Sequence, residues 1–179
     1  MTTPPQTVFI DRDGVINRKP ADGQYVNRLD QFELLDGSIE AIARLSAAGA
    51  RVVVVTNQQG VAKGVTDPID LEAIHSWLCD QVEAAGGQIS QIRVCPHFEL
   101  SCDCRKPNVG LFEEARRLDR GIVFADSVVI GDSDSDIDAA ARIGARAIRI
   151  GGISRVDCVV PELPDLRAAS ELLLGGCRV

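Results

Sequence analysis

The chain has 179 residues, 45% hydrophobic and 25% charged, enough for one well-buried domain with little room for a second. A formal net charge of −7 and a pI near 4.8 argue against a broad nucleic-acid-binding face, while leaving room for a locally positive pocket. The start, MTTPPQT, lacks a basic stretch followed by an apolar run, and the longest aliphatic run, Val52–Val55, is far too short for a membrane span; a cytoplasmic protein that binds neither nucleic acid nor membrane is expected.

Thr7–Ile10 is a short apolar run that stops at Asp11-Arg-Asp-Gly14, the pattern of a buried strand entering a loop. Residues 38–48 place Ile39, Ile42, Ala43 and Leu45 on one helical face, with Gly49 as the stop. A second buried strand, 51–56, ends in TNQQG. Asp67 followed by Pro68 reads as an N-cap and first-turn proline, and Ile74, Trp77, Leu78, Cys79 and Val82 continue an apolar face toward Gly86-Gly87. Residues 88–94 alternate as a third strand and run into a cysteine-rich loop. A helix is expected over 109–119, a fourth strand over 127–131 ending in DSDSD, a helix over 136–143 and a fifth strand over 145–150. Residues 158–160 read as a last short strand and 165–174 as a terminal helix, in a tail (151–179) that carries no motif.

Strands that alternate with helices imply a parallel sheet covered on both faces, with ligands beyond the carboxyl ends of the strands. The polar signatures stand at those ends. Asp11 and Asp13 can divide the roles of nucleophile and general acid/base, or form a solvated turn. Thr56 and Asn57 offer a hydroxyl and an amide suited to phosphate oxygens, or a plain turn. Lys106 can neutralise phosphate charge or simply be solvated. Asp132, with Asp134, Asp136 and Asp138 behind it, suggests a hard cation bound by oxygens. An EF-hand starting at Asp132 fails, because Ile137 and Ile143 stand where glycine and glutamate are needed. No Gly-x-x-x-x-Gly-Lys loop is present. Of the two histidines, His75 borders a helix face and His97 lies among cysteines; acid–base work then falls to carboxylates, which favours an aspartyl-phosphate route.

The stretch CPHFELSCDCRKP gathers Cys95, His97, Cys102 and Cys104. A metal site, a disulfide cluster and a redox switch are all conceivable. A reducing compartment favours metal ligation, and Cys-x-Cys lacks the redox Cys-x-x-Cys spacing. Cys79, Cys158 and Cys177 read as plain thiols.

In the order DxD, Thr, Lys, GDxxxD, these residues resemble the haloacid dehalogenase superfamily. Within it, FIDRDGVIN (9–17), VVVVTNQQGVAKG (52–64), CPHFELSCDCRKP (95–107) and GDSDSDIDAA (131–140) resemble the D-glycero-D-manno-heptose-1,7-bisphosphate phosphatases, close to histidinol-phosphate phosphatase domains. The resemblance extends nearly to Gly151. It implies a Rossmann-like α/β sheet with helices on both faces and no large cap, forming one domain over 1–179 with a zinc loop at 95–104. It also implies magnesium-dependent removal of the 7-phosphate from the heptose bisphosphate through an aspartyl phosphate, in nucleotide-activated heptose biosynthesis.

By the same resemblance, Asp11 is the nucleophile, Asp13 the general acid/base, and Thr56 and Lys106 stabilise the phosphoryl group. Magnesium is held by Asp11, the Asp13 backbone carbonyl and Asp132, with Asp136 supporting them. Arg105, Asn57 and the loop Asp22, Gly23, Gln24, Tyr25 contact a small phosphorylated sugar. Apart from the resemblance, a monomer is expected. Cys95, His97, Cys102 and Cys104 form a closed tetrahedral zinc site that organises its loop. Four residues separate His97 from Cys102, a short loop for this family, which is expected to reshape the substrate rim. Asp13 is expected to start protonated, its pKa raised by the neighbouring carboxylate. Competing readings are a histidinol-phosphate or other small sugar-phosphate phosphatase, and a non-catalytic zinc-loop binding module.

Overall fold

The computed structural model describes residues 5–151 and 160–175. In chain order the elements are β1 (Thr7–Ile10), α1 (Ser38–Ala47), β2 (Arg51–Asn57), α2 (Pro68–Ala84), β3 (Gln91–Cys95), α3 (Gly110–Leu118), β4 (Ser127–Gly131), α4 (Asp134–Ile143), β5 (Arg146–Ile150), β6 (Glu162–Leu163) and α5 (Leu166–Leu173). All the strand pairs are parallel, in the spatial order β3-β2-β1-β4-β5-β6. This is the Rossmann order: the chain begins at the centre, moves outward to β3, then returns to the far side of β1. The carboxyl ends of β1, β2 and β4 therefore border the crevice at which such sheets bind ligands.

Burial on both faces explains the unbroken Val/Ile runs. Val8, Ile10, Val52, Val54, Val128 and Ile130 face one layer, where Ile42 and Leu45 of α1, Ile74 and Leu78 of α2, and Leu166 and Leu173 of α5 pack. Their neighbours Phe9, Val53, Val55 and Val129 face the other layer, against Leu111, Phe112 and Ala115 of α3 and Ala139 and Ala140 of α4. Phe9 meets the Phe112 ring edge-on at 5.0 Å. On the first face, Phe32 meets Trp77 edge-on at 6.1 Å, tying the long β1–α1 loop to α2.

Asp67 caps α2 as expected, accepting from the Ile69 N–H at 2.8 Å with Pro68 in the first turn. Two starts move by two residues or more. The β3 ladder starts at Gln91 rather than 88, because the Gln88 N–H donates to Ser46 Oγ at 2.9 Å instead of to a strand. α4 starts at Asp134 rather than 136, because a capping box between Ser133 and Asp136 closes its first turn before the apolar periodicity begins. The sixth strand is Glu162–Leu163; the expected strand at 158–160 lies largely outside the described residues, as do Cys158 and Cys177. Among the described residues, loops and one short 3₁₀ turn fill the β1–α1 connection and only a loop joins β2 to α2, so no large cap is present.

Candidate active site

β1 delivers Asp11 to the crevice. Its backbone N–H extends the ladder to Ile130 O at 2.9 Å, and its Oδ1 accepts from the Arg12 N–H at 2.8 Å and faces Lys106 Nζ at 2.8 Å. The chain then turns at Gly14, whose φ of 90° suits glycine. A Cβ there would run into the Asp132 carboxylate, so the missing side chain lets the β1 and β4 loops meet.

Lys106 arrives from the β3–α3 loop and is only 4% exposed. Its ammonium reaches Asp11 Oδ1, Asp136 Oδ1 at 2.6 Å and the Val55 carbonyl at 2.7 Å. Burial alone would favour the neutral amine, but Asp11 and Asp136 outweigh it and hold the pKa above the ordinary lysine range. Asp136 is fully buried and uses its second oxygen to accept from Ser133 Oγ at 2.6 Å and Ser133 N–H at 3.2 Å. One carboxylate thus caps α4 and fixes the lysine.

Burial pushes the Asp11 carboxyl up to about 7, with Lys106 pulling it back and Asp136 adding to the rise. Burial also raises Asp132, whose Oδ1 is buried without a hydrogen-bond partner. Ligand oxygens of Asp11, Asp132 and Asp136 lie within 4.8 Å of one another. A cluster of hard oxygens with excess negative charge and an unpaired acceptor fits a divalent cation such as magnesium. Lys19 Nζ stands 2.7 Å from Asp132 Oδ2.

Asp13 departs from its expected state. Its carboxyl is held below, not above, the ordinary range. Burial, the largest influence, would raise it. The Arg12 guanidinium and hydrogen bonds from Asn17, Arg12 and Gln58 outweigh burial. Arg12 Nη2 lies 2.9 and 3.0 Å from the two Asp13 oxygens, Asn17 Nδ2 donates at 2.9 Å and Gln58 Nε2 at 2.7 Å. Resting Asp13 is a carboxylate. Gln58 also donates to Thr56 Oγ at 2.8 Å, joining the ends of β1 and β2.

Asp11, Asp13, Thr56, Asn57, Arg105, Lys106, Asp132 and the loop Asp22–Tyr25 all line one cleft of about 290 Å³. Asp136 lies beneath it. Asn57 accepts from the Lys106 N–H at 3.1 Å and donates to the Lys106 carbonyl at 3.2 Å, so its amide is committed to holding the loop. Arg105 Nη1 is buried and unpartnered.

Cys95, His97, Cys102 and Cys104 converge as the spacing implies. Sulfur–sulfur separations are 3.3–3.5 Å, and His97 Nδ1 lies 3.2 Å from Cys104 Sγ and 3.7 Å from Cys95 Sγ. A tetrahedron with zinc–sulfur bonds of about 2.3 Å has edges of roughly 3.8 Å, so a small expansion admits zinc, and soft thiolates plus imidazole suit it.

Sequence reasoning missed Arg12, Asn17, Gln58 and Lys19. Arg12 carried a signal, since it stands inside the DxD motif. Lys19 carried none, because its partner is 113 positions away.

Residues 103–166 match the HAD-hydrolase-like family model. A D-glycero-alpha-D-manno-heptose-1,7-bisphosphate 7-phosphatase of Mycobacterium bovis is 41% identical over 153 residues, covering 82% of this chain and 80% of the relative. A D-glycero-beta-D-manno-heptose-1,7-bisphosphate 7-phosphatase of Pseudomonas aeruginosa is 37% identical, covering 93% and 97%. The crystal structure of a D,D-heptose 1,7-bisphosphate phosphatase from B. bronchiseptica, complexed with magnesium and phosphate, superposes with a TM-score of 0.85 at 33% identity, covering 96% of this chain and 99% of that one. With its sheet order, its aspartate–lysine cluster and these similarities together, the chain belongs to the heptose-1,7-bisphosphate 7-phosphatase family of the HAD-like hydrolases.

Proposed function

We propose that the chain removes the 7-phosphate of D-glycero-D-manno-heptose 1,7-bisphosphate through an aspartyl phosphate on Asp11. The observation that carries this reading is the meeting of Asp11, Lys106, Asp132 and Asp136 at the ends of β1 and β4, in a chain whose relatives are named for this reaction.

Magnesium, held by Asp11, Asp132 and the Asp13 backbone carbonyl with Asp136 behind them, supplies the charge that lets a carboxylate approach a phosphate dianion. Lys106 adds a second positive charge that is positioned before substrate arrives. Thr56, oriented by Gln58, offers its hydroxyl to a phosphoryl oxygen. Arg12 N–H and Lys106 hold the Asp11 carboxylate by Oδ1, and that carboxylate attacks phosphorus. The bond from phosphorus to the sugar oxygen breaks, and Asp13 gives that oxygen a proton. Resting Asp13 is ionised, so it takes up this proton from solvent as the phosphate dianion arrives beside it. Water then attacks the aspartyl phosphate, gives a proton to Asp13 and releases Asp11, and Asp13 returns that proton to solvent as phosphate leaves. Arg105, with its unpartnered Nη1, and the Asp22–Tyr25 loop suit the sugar and its far phosphate. Cys95, His97, Cys102 and Cys104 would hold zinc, which would fix the loop that carries Arg105 and Lys106.

In this reading residues 1–179 act as one catalytic domain and as a monomer in the cytoplasm, in nucleotide-activated heptose biosynthesis. One sheet that takes in every described strand supports the first point. Among the described residues no helix is long and apolar enough to cross a membrane.

A phosphate-release panel over both anomers of the heptose bisphosphate, sugar monophosphates and histidinol phosphate tests the substrate. The heptose bisphosphates are expected to give the highest kcat/KM. A preference for histidinol phosphate would replace the substrate but keep the chemistry, and no release at all would leave a binding module. Asp11→Asn should lose on the order of 10⁴-fold or more in kcat; near-normal turnover would rule out the aspartyl phosphate.

A further inference from the structure

Lys19 is the one ammonium in the cleft whose position the fold does not enforce. Lys106 is buried and held by Asp11, Asp136 and the Val55 carbonyl. The Lys19 side chain is 53% exposed, and its ammonium rests on Asp132 Oδ2 at 2.7 Å. It stands at the start of the loop that reaches Tyr25 and lines the same cleft as Asp11 and Arg105. Asp132 is also the carboxylate with an unpaired buried oxygen, beside Asp11 and Asp136. We propose that Lys19 competes with the divalent cation for Asp132 and, once displaced, becomes a phosphate-binding residue of the substrate loop. This inference rests on the divalent site proposed above.

The charges argue for it. Arg12 balances Asp13. Asp11, Asp132 and Asp136, when ionised, face Lys106 and Lys19, which leaves one net negative charge. A divalent ion makes the centre singly positive, so Asp132 no longer needs the lysine. A phosphate dianion then returns the centre to a single negative charge, but only with Lys19 still present; without it the bound state carries two. An ammonium on a flexible four-carbon stem can make this move because half of its surface is in solvent, and a compact point charge suits a phosphate oxygen.

Lys19→Met keeps the stem and removes the charge. Isothermal titration calorimetry with magnesium alone, in phosphate-free buffer, reads the competition. Magnesium affinity should tighten roughly threefold, the scale of losing one partly exposed ion pair as competitor. Titration of inorganic phosphate at saturating magnesium reads the second half. Phosphate affinity should weaken about tenfold, the scale of one charge-assisted hydrogen bond. Unchanged values for both would make the Lys19–Asp132 pair an ordinary surface contact, and a change in only one of the two would overturn the proposal as stated. Asp132→Asn separates this from the underlying reading. If that variant binds magnesium as the unaltered chain does, or if the unaltered chain binds none, the divalent site itself is wrong. A melting temperature unchanged in Lys19→Met confirms that the comparison is made on folded protein.

Discussion

Arg12 has no exposed side-chain surface and stands between Asp13, His75 and the Phe32 ring. A guanidinium can only donate, so the His75 Nε2 at 3.2 Å must be the acceptor and the imidazole neutral. Burial, and then Arg12, hold its pKa near 3. His75 is therefore a neutral prop that squares Arg12 against Asp13, and in the proposed mechanism Arg12 positions Asp13 as its acid/base. Arg12→Met should cost about 3 kcal/mol of stability, because it strands a largely buried carboxylate. The more telling readout is the pH profile. Removing the cation raises the Asp13 pKa, so the basic limb of kcat, where Asp13 must still carry the proton it donates, should move to higher pH. A variant that lost stability but kept the original profile would make Arg12 structural only. The contrast with expectation has a simple cause. The expectation weighed only the Asp11 carboxylate two positions away, whereas Arg12, the immediate neighbour in sequence, Asn17 from beyond the Gly14 turn and Gln58 from the end of β2 all reach the Asp13 oxygens.

The β3–α3 loop shows how an element without regular structure can aim two charges. It is pinned at Cys95, His97, Cys102 and Cys104, at Lys106 by Asn57, and at its end by Asn108 Nδ2 donating to the Cys102 carbonyl at 2.9 Å. These pins act unequally on the two cations. Lys106 keeps its partners on β1, β2 and α4 without the cluster, whereas Arg105 has a buried Nη1 with none. Cys102→Ser should lower zinc from about one equivalent per chain by elemental analysis. KM for the bisphosphate should then rise about tenfold, with a smaller fall in kcat, as small displacements of a binding charge are costly. The magnesium requirement should persist, since Asp11 and Asp132 lie beyond β1 and β4. Zinc loss with unchanged kcat and KM would reduce the cluster to a staple. Elements such as β1, β2 and β4 were legible because burial on both faces writes unbroken Val/Ile runs, and the meeting of Asp11, Thr56, Lys106 and Asp132 in one cleft because such residue types recur at the ends of those strands. The β1–α1 loop was not, since it has no period and its contacts, such as Lys19 with Asp132, span long stretches of chain.

At the scale of the whole molecule, the sheet gathers carboxylates from β1 and from the start of α4 into one partly dry crevice, and that has a cost. Asp11 titrates near 7 in the folded chain against an ordinary value of 3.8. Between those values the folded chain holds a proton that the unfolded chain has released. The stability of the cation-free protein therefore falls as pH rises from about 4 to about 7. Asp132, also raised, works in the same direction, whereas Asp13, lowered, stays charged across this window. A divalent ion needs Asp11 ionised, so its binding must expel that proton and strengthen with pH. At about pH 8, magnesium at about 100 times its Kd should stabilise the chain by about 2.7 kcal/mol. At about pH 5.5 the same concentration meets a site weakened about 30-fold, and should give about 1 kcal/mol. Thermal melts with magnesium and with chelator at both pH values measure the difference. Asp11→Asn cannot ionise and should flatten most of it. An equal magnesium shift at both pH values would mean that the ion binds elsewhere and that the carboxylate cluster is not its site.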